Sequence, residues 1–253
     1  MPGLSPQALF GVRVDTGSMA DACQQVLEAA RARRGGVVCV ANVDMLTRAR
    51  STPKLLAIMQ SALAVTADGM PLVWAQRRLL GLLHAERVRG PSLVLELCAR
   101  APEEGISAYF YGGMPDEIAP LRAELLKRFP RLEIAGIESP PLLSAEPPMD
   151  PATIERINAS GASLLFVGLG CPKQEYWMAA QQPALGPVSL GVGLAFALIA
   201  GTKSQAPAWM RNNGLEWFYR LCQEPGRLWK RYLIGNSRFI WYALCEFLRP
   251  SGR

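Results

Sequence analysis

Short apolar runs alternate with helical segments along most of the chain, and this alternation constrains the fold more than any other feature. The apolar runs are predicted strands at residues 10–14, 37–40, 63–66, 106–111, 132–137, 164–167 and 188–192. Segments with apolar residues at helical spacing lie between them, at residues 18–32, 47–61, 71–83, 92–101, 116–128 and 154–159. This pattern predicts an α/β fold, a Rossmann-like parallel sheet covered by helices on both faces.

The last fifth of the chain differs from the rest in composition. Residues 203–253 hold nine Lys or Arg against three Glu, whereas residues 1–202 hold 18 basic and 18 acidic side chains. Four of the six tryptophans also lie in this last part. We therefore expect a Rossmann-like domain over residues 1–200 and a basic, aromatic-rich, helical C-terminal appendage over residues 201–253.

The cysteines and the single histidine give no sign of a metal site. The six cysteines are scattered without a CxxC pair, and His84 falls at the C-terminal end of a predicted helix. Zinc sites need clustered Cys and His ligands, so no metal ligands and no cofactor are predicted. Scattered cysteines also fit a reducing cytosol.

Polar residues follow several predicted strands at the points where those strands end. They are Asn42, Asp68, the pair Gly112 and Gly113, and Lys173, Gln174 and Glu175. The carboxyl ends of parallel strands meet at one sheet edge, where ligands bind in open α/β folds. Asp68 suits a general base there, and the glycine pair before a helix suits a diphosphate cradle. Alternatively, Asp68 caps its helix, and Gln174 and Glu175 only orient their loop.

Four segments together resemble the WecG/TagA/CpsF family of glycosyltransferases, glycosyltransferase family 26. They are TADGMPLVWAQRRLLG with RVRGPSL (66–93), FYGG (110–113), VGLGCPKQEYWM (167–178) and AGTKSQAPAWMRNNGLEWFYRLCQEPGRLWKRYL (200–233). They occur in the family's order and cover most of the chain from Asn42 to Leu233. The combination of ADG, GLGxPKQE and GLEW with its downstream RL and EP is highly specific.

The resemblance implies an inverting transferase that moves a sugar from a UDP-sugar to an undecaprenyl-diphosphate-linked saccharide in cell-surface polysaccharide assembly. It also implies a metal-independent reaction, and the chain has no Asp-x-Asp, the metal–nucleotide signature of many sugar transferases. The expected location is cytoplasmic and peripheral, on an anionic membrane surface at the inner face of the cytoplasmic membrane. Nucleic acid is not an expected partner, and a homo-oligomer is left open.

Particular roles follow from the family's motifs. Asp68 matches the family's base, which deprotonates the acceptor hydroxyl as it attacks opposite the departing UDP. Asn42, Arg87 and Gln174 match substrate-positioning residues. Three tail arginines match residues that neutralise diphosphate charge, with Lys230 as a fourth cation; the arginines are Arg220, Arg227 and Arg231. A guanidinium suits this role because it stays charged and binds phosphate through two N–H groups.

The chain departs from the family's pattern at Val40, Ser92, Ala197 and Gln205, and these changes bear on activity and sugar preference. The alternative function is a non-catalytic, membrane-docked subunit that binds a nucleotide sugar. A nucleic-acid-binding role for the basic tail is a weaker interpretation, because the tail has no recognisable DNA or RNA module.

A helix from Arg227 onward would have two faces of different chemistry. At about 100° per residue, its arginines fall on one side and its apolar residues on the other. The basic side holds Arg227, Arg231, Arg238 and Arg249, and the apolar side holds Trp229, Leu233, Ile240, Ala243, Leu244 and Phe247. This pattern favours an interfacial membrane helix, with packing of the apolar side on the α/β domain as the alternative.

Overall fold

A parallel six-stranded sheet forms the centre of the protein in the computed structural model, which describes residues 3–248. The sheet strands are β3 (Gly36–Ala41), β4 (Ala64–Ala67), β5 (Ala108–Gly112), β6 (Ile134–Glu138), β7 (Leu164–Gly168) and β8 (Val188–Gly191). They lie in the order β4-β3-β8-β7-β5-β6, and all neighbours are parallel. β1 (Ala8–Leu9) and β2 (Val12–Arg13) form a separate antiparallel pair.

Helices connect the sheet strands. Those up to the last sheet strand are α1 (Met19–Arg31), α2 (Val43–Ser51), α3 (Pro53–Ser61), α4 (Met70–Leu79), α5 (Gly90–Arg100), α6 (Pro115–Arg128), α7 (Pro151–Ala159) and α8 (Lys173–Gln181). Those after it are α9 (Ala195–Ala200), α10 (Ala208–Asn212), α11 (Glu216–Gln223) and α12 (Pro225–Phe247).

The helices cover both faces of the sheet, each face with its own core. Helices α1, α5, α6 and α9 pack on one face, and α2, α3, α4, α7, α8 and part of α12 pack on the other. Strand β3 shows how one sheet serves two cores, because Val38 and Val40 enter the first while Val37, Cys39 and Ala41 enter the second. This alternation follows from the two-residue period of a strand. The predicted Rossmann-like fold is confirmed.

A crevice opens at the carboxyl edge of the sheet between β3 and β8. These strands are neighbours, but the chain leaves β3 toward α2 on one face and leaves β8 toward α9 on the other. Such a topological switch point is where open α/β sheets bind ligands. The segments that follow β3, β4, β7 and β8 all reach this edge.

Three predicted elements are wrong in their bounds. The predicted helix at 71–83 ends at Leu79, shortly before Gly81, which has φ of 69°. The predicted strand at 10–14 is interrupted by a turn, in which Phe10 and Gly11 have φ of 53° and 79°, and the chain forms the β1–β2 hairpin. The predicted helix at 47–61 is two helices, because Pro53 has no N–H for a continuous helix and Thr52 before it is extended.

The last helix packs on the α/β body through a narrow face whose fully buried residues belong to neither predicted stripe, although Ala243 of the apolar stripe packs partly against the same core. Its buried residues are Leu228, Gly235 and Phe239, and the helix contacts α2 and α4. The ring of Phe239 lies 5.4 Å from that of Phe10. Most residues of the predicted apolar stripe are therefore left exposed: Trp229, Leu233, Ile240, Leu244 and Phe247. Arg249 lies outside the described residues.

Candidate active site

Asp68 lies at the carboxyl end of β4, on the predicted sheet edge. Its N–H donates to the main-chain oxygen of Ala41 at 2.8 Å, which continues the β3–β4 ladder by one residue and fixes the start of the loop. About a quarter of its side chain is exposed, at the bottom of the crevice. Within the described part of the chain, no group donates a hydrogen bond to its carboxylate, which leaves the oxygens free to accept a proton.

Two cavities meet at Asp68. The first, the polar cleft, has a volume of about 880 Å³ and lies over the carboxyl ends of β3, β5, β7 and β8. The segment after β6 and the helices α11 and α12 complete its walls. Its cationic lining residues are Arg89, Lys173, Lys203, Arg220, Arg227 and Arg231, and its acidic ones are Asp68, Glu117, Glu146, Glu216 and Glu224. Three of the arginines, Arg220, Arg227 and Arg231, come from α11 and α12 and lie at a topological switch point, a combination that suits an anionic ligand.

The second cavity, the apolar groove, has a volume of about 620 Å³ and lies between α2, α4, α11 and α12. Its apolar lining includes Met70, Pro71, Trp74, Leu79, Trp217, Phe239, Ile240 and Ala243. Asn42, Asp68, Glu216, Arg220 and Arg231 line both cavities, so these five residues form their common wall.

An ion-pair cluster ties the C-terminal segment to the loop that carries Asp68. Arg87 donates from Nε to the main-chain oxygen of Asp68, from Nη1 to that of Arg211 at 2.9 Å, and from Nη2 to Glu216 Oε2 at 2.5 Å. Arg89 Nη2 donates to the other oxygen of Glu216 at 3.0 Å. Glu216, the glutamate of the GLEW segment, thus binds both arginines of the RVRG segment.

This cluster sets the charge state of the two carboxylates. Desolvation at the bottom of the crevice raises the pKa of Asp68 above its usual value, and Glu216 adds to the rise while Arg87, Arg89 and Arg220 oppose it. Desolvation acts on Glu216 too, but Arg89 and Arg87 outweigh it and lower its pKa. A carboxyl with a raised pKa is a stronger base than an ordinary aspartate.

Three of the predicted ligand-binding residues are engaged inside the protein. Asn42 caps α2, since its Oδ1 accepts from the N–H of Met45 at 3.1 Å, although it still lines both cavities. Lys173 donates to the main-chain oxygen of Leu143 at 2.9 Å. Gln174 is buried and bridges two loops, because its Oε1 accepts from Gly170 at 3.1 Å and from Gly193 at 3.0 Å.

Glu175 is fully buried and lines neither cavity. One oxygen accepts from Gln174 Nε2 at 2.8 Å, and the other has no hydrogen-bond partner among the described residues. Burial raises the pKa of Glu175 to about 7. Its position favours a role in supporting the loop over the predicted contact with substrate.

The glycine pair after β5 packs closely against the neighbouring strand. A Cβ on Gly112 would lie 2.7 Å from the main chain of Gly168, and Gly112 has φ of 121°. The N–H of Gly113 donates to the oxygen of Gly168 at 3.0 Å, and that of Met114 donates to Glu117 at 3.0 Å. These N–H groups are already used within the protein, so the geometry favours a packing role over the predicted diphosphate cradle.

The tail cations have different surroundings. Arg220 lines both cavities and, among residues 3–248, makes no ion pair. Arg231 also lines both and pairs with Asp44 at 2.9 Å, while Arg227 lines the polar cleft and pairs with Glu224. Lys230 lies outside both cavities, against the ring of Trp229 at 5.4 Å. The structure therefore brings the three arginines to the site and leaves Lys230 out.

Sequence reasoning did not single out Arg89, Glu216 or Asp44. Arg89 is two positions past Arg87 in the RVRG segment, and Glu216 is the acidic residue of the GLEW segment, so both carried a weak signal. Asp44 is two residues past Asn42 and gave no sign of meeting Arg231. Within residues 3–248, no group of three or more His, Cys, Asp or Glu side chains is arranged to hold a metal ion.

The fold and the site together define an α/β protein with a carboxylate base candidate between an arginine-lined cleft and an apolar groove. The family model for glycosyl transferases of the WecG/TagA/CpsF family matches residues 7–253, essentially the whole chain. The chain belongs to this family, and the resemblance seen in its motifs is confirmed. It is a glycosyltransferase of polysaccharide biosynthesis.

Proposed function

We propose that the protein transfers a sugar from a UDP-sugar to an undecaprenyl-diphosphate-linked saccharide, with inversion and without a metal ion. The observation that carries the proposal is the Asp68 carboxylate, which accepts no hydrogen bond from the described residues and faces both cavities. In an inverting transfer the acceptor hydroxyl lies between the base and the anomeric carbon of the donor. The place of Asp68 in the common wall of the two cavities supports this role.

The chemistry needs one base and one stabilised leaving group. Asp68 accepts the proton of the acceptor hydroxyl as that oxygen forms a bond to the anomeric carbon from the face opposite UDP. The bond between the anomeric carbon and the phosphate oxygen breaks, and UDP leaves with its electron pair. Arg220, Arg227 and Arg231 are placed to stabilise the charge that develops on the diphosphate.

The polar cleft suits the donor. It lies at the switch point of the sheet, and its wall carries guanidinium groups at Arg89, Arg220, Arg227 and Arg231. Nucleotide diphosphates bind at such sheet edges because main-chain dipoles and cations converge there.

The apolar groove suits the lipid-linked acceptor. At its inner end it holds Asp68, Arg87, Arg220 and Arg231, which match a saccharide hydroxyl and a diphosphate. Its outer wall is apolar, and Ile240 in that wall is also among the exposed residues of α12. An amphiphile fits this groove with its polar head at the inner end and its hydrocarbon chain along the apolar outer wall.

We infer that residues 201–253 form the membrane-associating appendage and that the protein acts peripherally at the inner face of the cytoplasmic membrane. The exposed large apolar residues of α10, α11 and α12 support this: Trp209, Phe218, Trp229, Leu233, Ile234, Ile240, Trp241, Leu244 and Phe247. Apolar patches of this kind mark interaction surfaces. Across residues 3–248, no helix has the length and apolar character needed to span a bilayer.

The experiment is a panel of UDP-sugars offered to the pure protein with a short-chain lipid-diphosphate saccharide, with products read by mass spectrometry. We expect one UDP-sugar to give an acceptor enlarged by one sugar, equally in buffer with EDTA. Activity lost in EDTA and restored by Mg²⁺ or Mn²⁺ would refute the metal-free reaction. Binding of a UDP-sugar without transfer to any acceptor would support the non-catalytic subunit instead.

A further inference from the structure

The guanidinium of Arg87 lies between two carboxylates and is bound to one of them. Its Nη2 is 2.5 Å from Glu216 Oε2 but 3.6 Å from Asp68 Oδ1. Glu216 is held in turn by Arg89 at 3.0 Å. Arg87 is therefore a close neighbour of the Asp68 carboxylate that makes its charge-assisted hydrogen bond to Glu216 instead.

A direct hydrogen bond between Arg87 and the Asp68 carboxylate would make Asp68 a poorer base. Arg87 and Asp68 already form an ion pair at 3.6 Å, without a hydrogen bond. If Glu216 were absent or neutral, a small rotation of the guanidinium would shorten this contact into a direct hydrogen bond. Such a bond would occupy the oxygens of Asp68 that must receive the acceptor's proton. It would also lower the pKa of Asp68, because a nearby cation favours the charged carboxylate.

We propose that Glu216 is a positioning residue whose carboxylate binds Arg87, keeps the guanidinium from hydrogen-bonding to the Asp68 carboxylate, and so leaves the base free to accept a proton. Since Glu216 lies in α11, this freedom depends on docking of the C-terminal segment against the β4–α4 loop. The contact between Arg87 Nη1 and the main-chain oxygen of Arg211 strengthens the same docking. The proposal rests on the proposed role of Asp68 as the base.

The charged groups that act most strongly on Asp68 are Arg87, Arg89, Arg220 and Glu216, and of these four Glu216 is the acidic one. The groove around Asp68 is also lined by Asp44, Arg78, Arg211 and Arg231. Neutralising Glu216 removes the one neighbour among the first four that raises the pKa of Asp68, and it releases Arg87 toward that carboxylate. Both effects act in the same direction. The pKa of Asp68 in the full-length Glu216→Gln variant is therefore lower than in the wild type.

The test measures this pKa without turnover. Protein labelled with ¹³C at the Asp side-chain carboxyl carbons is titrated by NMR, and the Asp68 signal is assigned by its loss in Asp68→Asn. We expect the midpoint to fall in Glu216→Gln, to stay close to the wild-type value in Glu216→Asp, and to stay unchanged in Glu224→Gln. Glu224 is the matched control, since it pairs with Lys203 and Arg227 in the same segment and has no contact with Arg87.

A kinetic arm uses the same variants. The acidic limb of the pH profile of kcat/KM should move to lower pH in Glu216→Gln, and the plateau should fall because a weaker base accepts the proton less readily. Glu224→Gln should leave that limb in place. A merely structural role for Glu216 would lower the plateau without moving the limb.

Two results would separate the ways in which the inference can fail. An Asp68 midpoint that is unchanged or raised in Glu216→Gln would overturn the inference, whatever the activity. A midpoint that falls as expected, together with normal turnover in Asp68→Asn, would uphold the contact but remove Asp68 from the mechanism and with it the functional meaning of Glu216.

Discussion

The side chain of Gln174 shows how a residue in a motif can serve the loop that holds the site. Its amide joins the loop after β7 to the loop after β8, and only 2% of its surface is exposed. The sequence placed Gln174 correctly at the sheet edge. It could not show which groups the amide would meet, because Gly193 is supplied by another strand.

We expect Gln174→Ala to lower the free energy of unfolding by about 1–3 kcal/mol, since it leaves the N–H groups of Gly170 and Gly193 without their acceptor. Urea denaturation measures this. Gln24→Ala is the control, an exposed glutamine on α1 whose loss should change stability by less than about 0.5 kcal/mol. Normal stability with lost donor binding in Gln174→Ala would instead make this amide a direct substrate ligand.

The buried carboxyl of Glu175 gives a prediction on pH. Its pKa is about 7 in the folded protein against a model-compound value of 4.5, so the folded state favours the protonated form. The contribution of Glu175 to the free energy of unfolding should therefore be largest below pH 4.5. It should be lost as pH rises through 7, a fall of roughly 3 kcal/mol in all. The Glu175→Gln variant lacks this group, so it should gain stability relative to the wild type by that amount as pH rises from about 4.5 to about 8.

Chemical denaturation of both proteins across this pH range measures the difference. Parallel curves of the free energy of unfolding against pH for wild type and Glu175→Gln would show that Glu175 has an ordinary pKa. Burial would then not disfavour its charged form.

Strands were the elements that the sequence predicted best, because a strand buried on both faces needs a continuous apolar run such as residues 164–167. Helix ends were predicted less well where one residue decides them, as Pro53 does between α2 and α3. The docking face of α12 was not predicted at all. Gly235 is buried on that face and lies opposite Thr47 of α2, but a lone glycine in a helix carries no such signal in sequence.

We predict that the exposed side of α12 contacts the membrane. Trp241 and Phe247 project away from the body, with 64% and 76% of their surfaces exposed. Replacing both with Glu should reduce co-sedimentation with anionic vesicles about tenfold or more, because it removes apolar surface and adds charge repelled by the lipid. The fold should survive, since neither side chain is buried.

Leu142→Glu is the control for this experiment. Leu142 is 96% exposed in the segment after β6, so the change in polarity is similar while α12 is untouched. Equal vesicle binding by wild type and the α12 double variant would show that this helix face does not contact the membrane.

The site as a whole is assembled from distant parts of the chain. Asp68 comes from the end of β4, Arg87 and Arg89 precede α5, and Glu216, Arg220 and Arg231 come from the last two helices. Motif matching found Asp68, Arg87, Arg220 and Arg231 individually. It could not find the ion pair between Arg87 and Glu216, because those residues are 129 positions apart and only the docked C-terminal helices bring them together.

The role of Asp68 as the base is the central claim, and transfer by the Asp68→Asn variant tests it most directly. The substituted amide would keep nearly the same shape, and no described hydrogen bond to the carboxylate is lost, so fold and UDP-sugar affinity by calorimetry should stay close to wild type. Transfer measured by mass spectrometry should fall by about 10²–10⁴-fold. Asp116→Asn, at an exposed position on α6, should transfer at nearly the wild-type rate. Turnover of Asp68→Asn within a few-fold of wild type, with donor binding intact, would contradict the account.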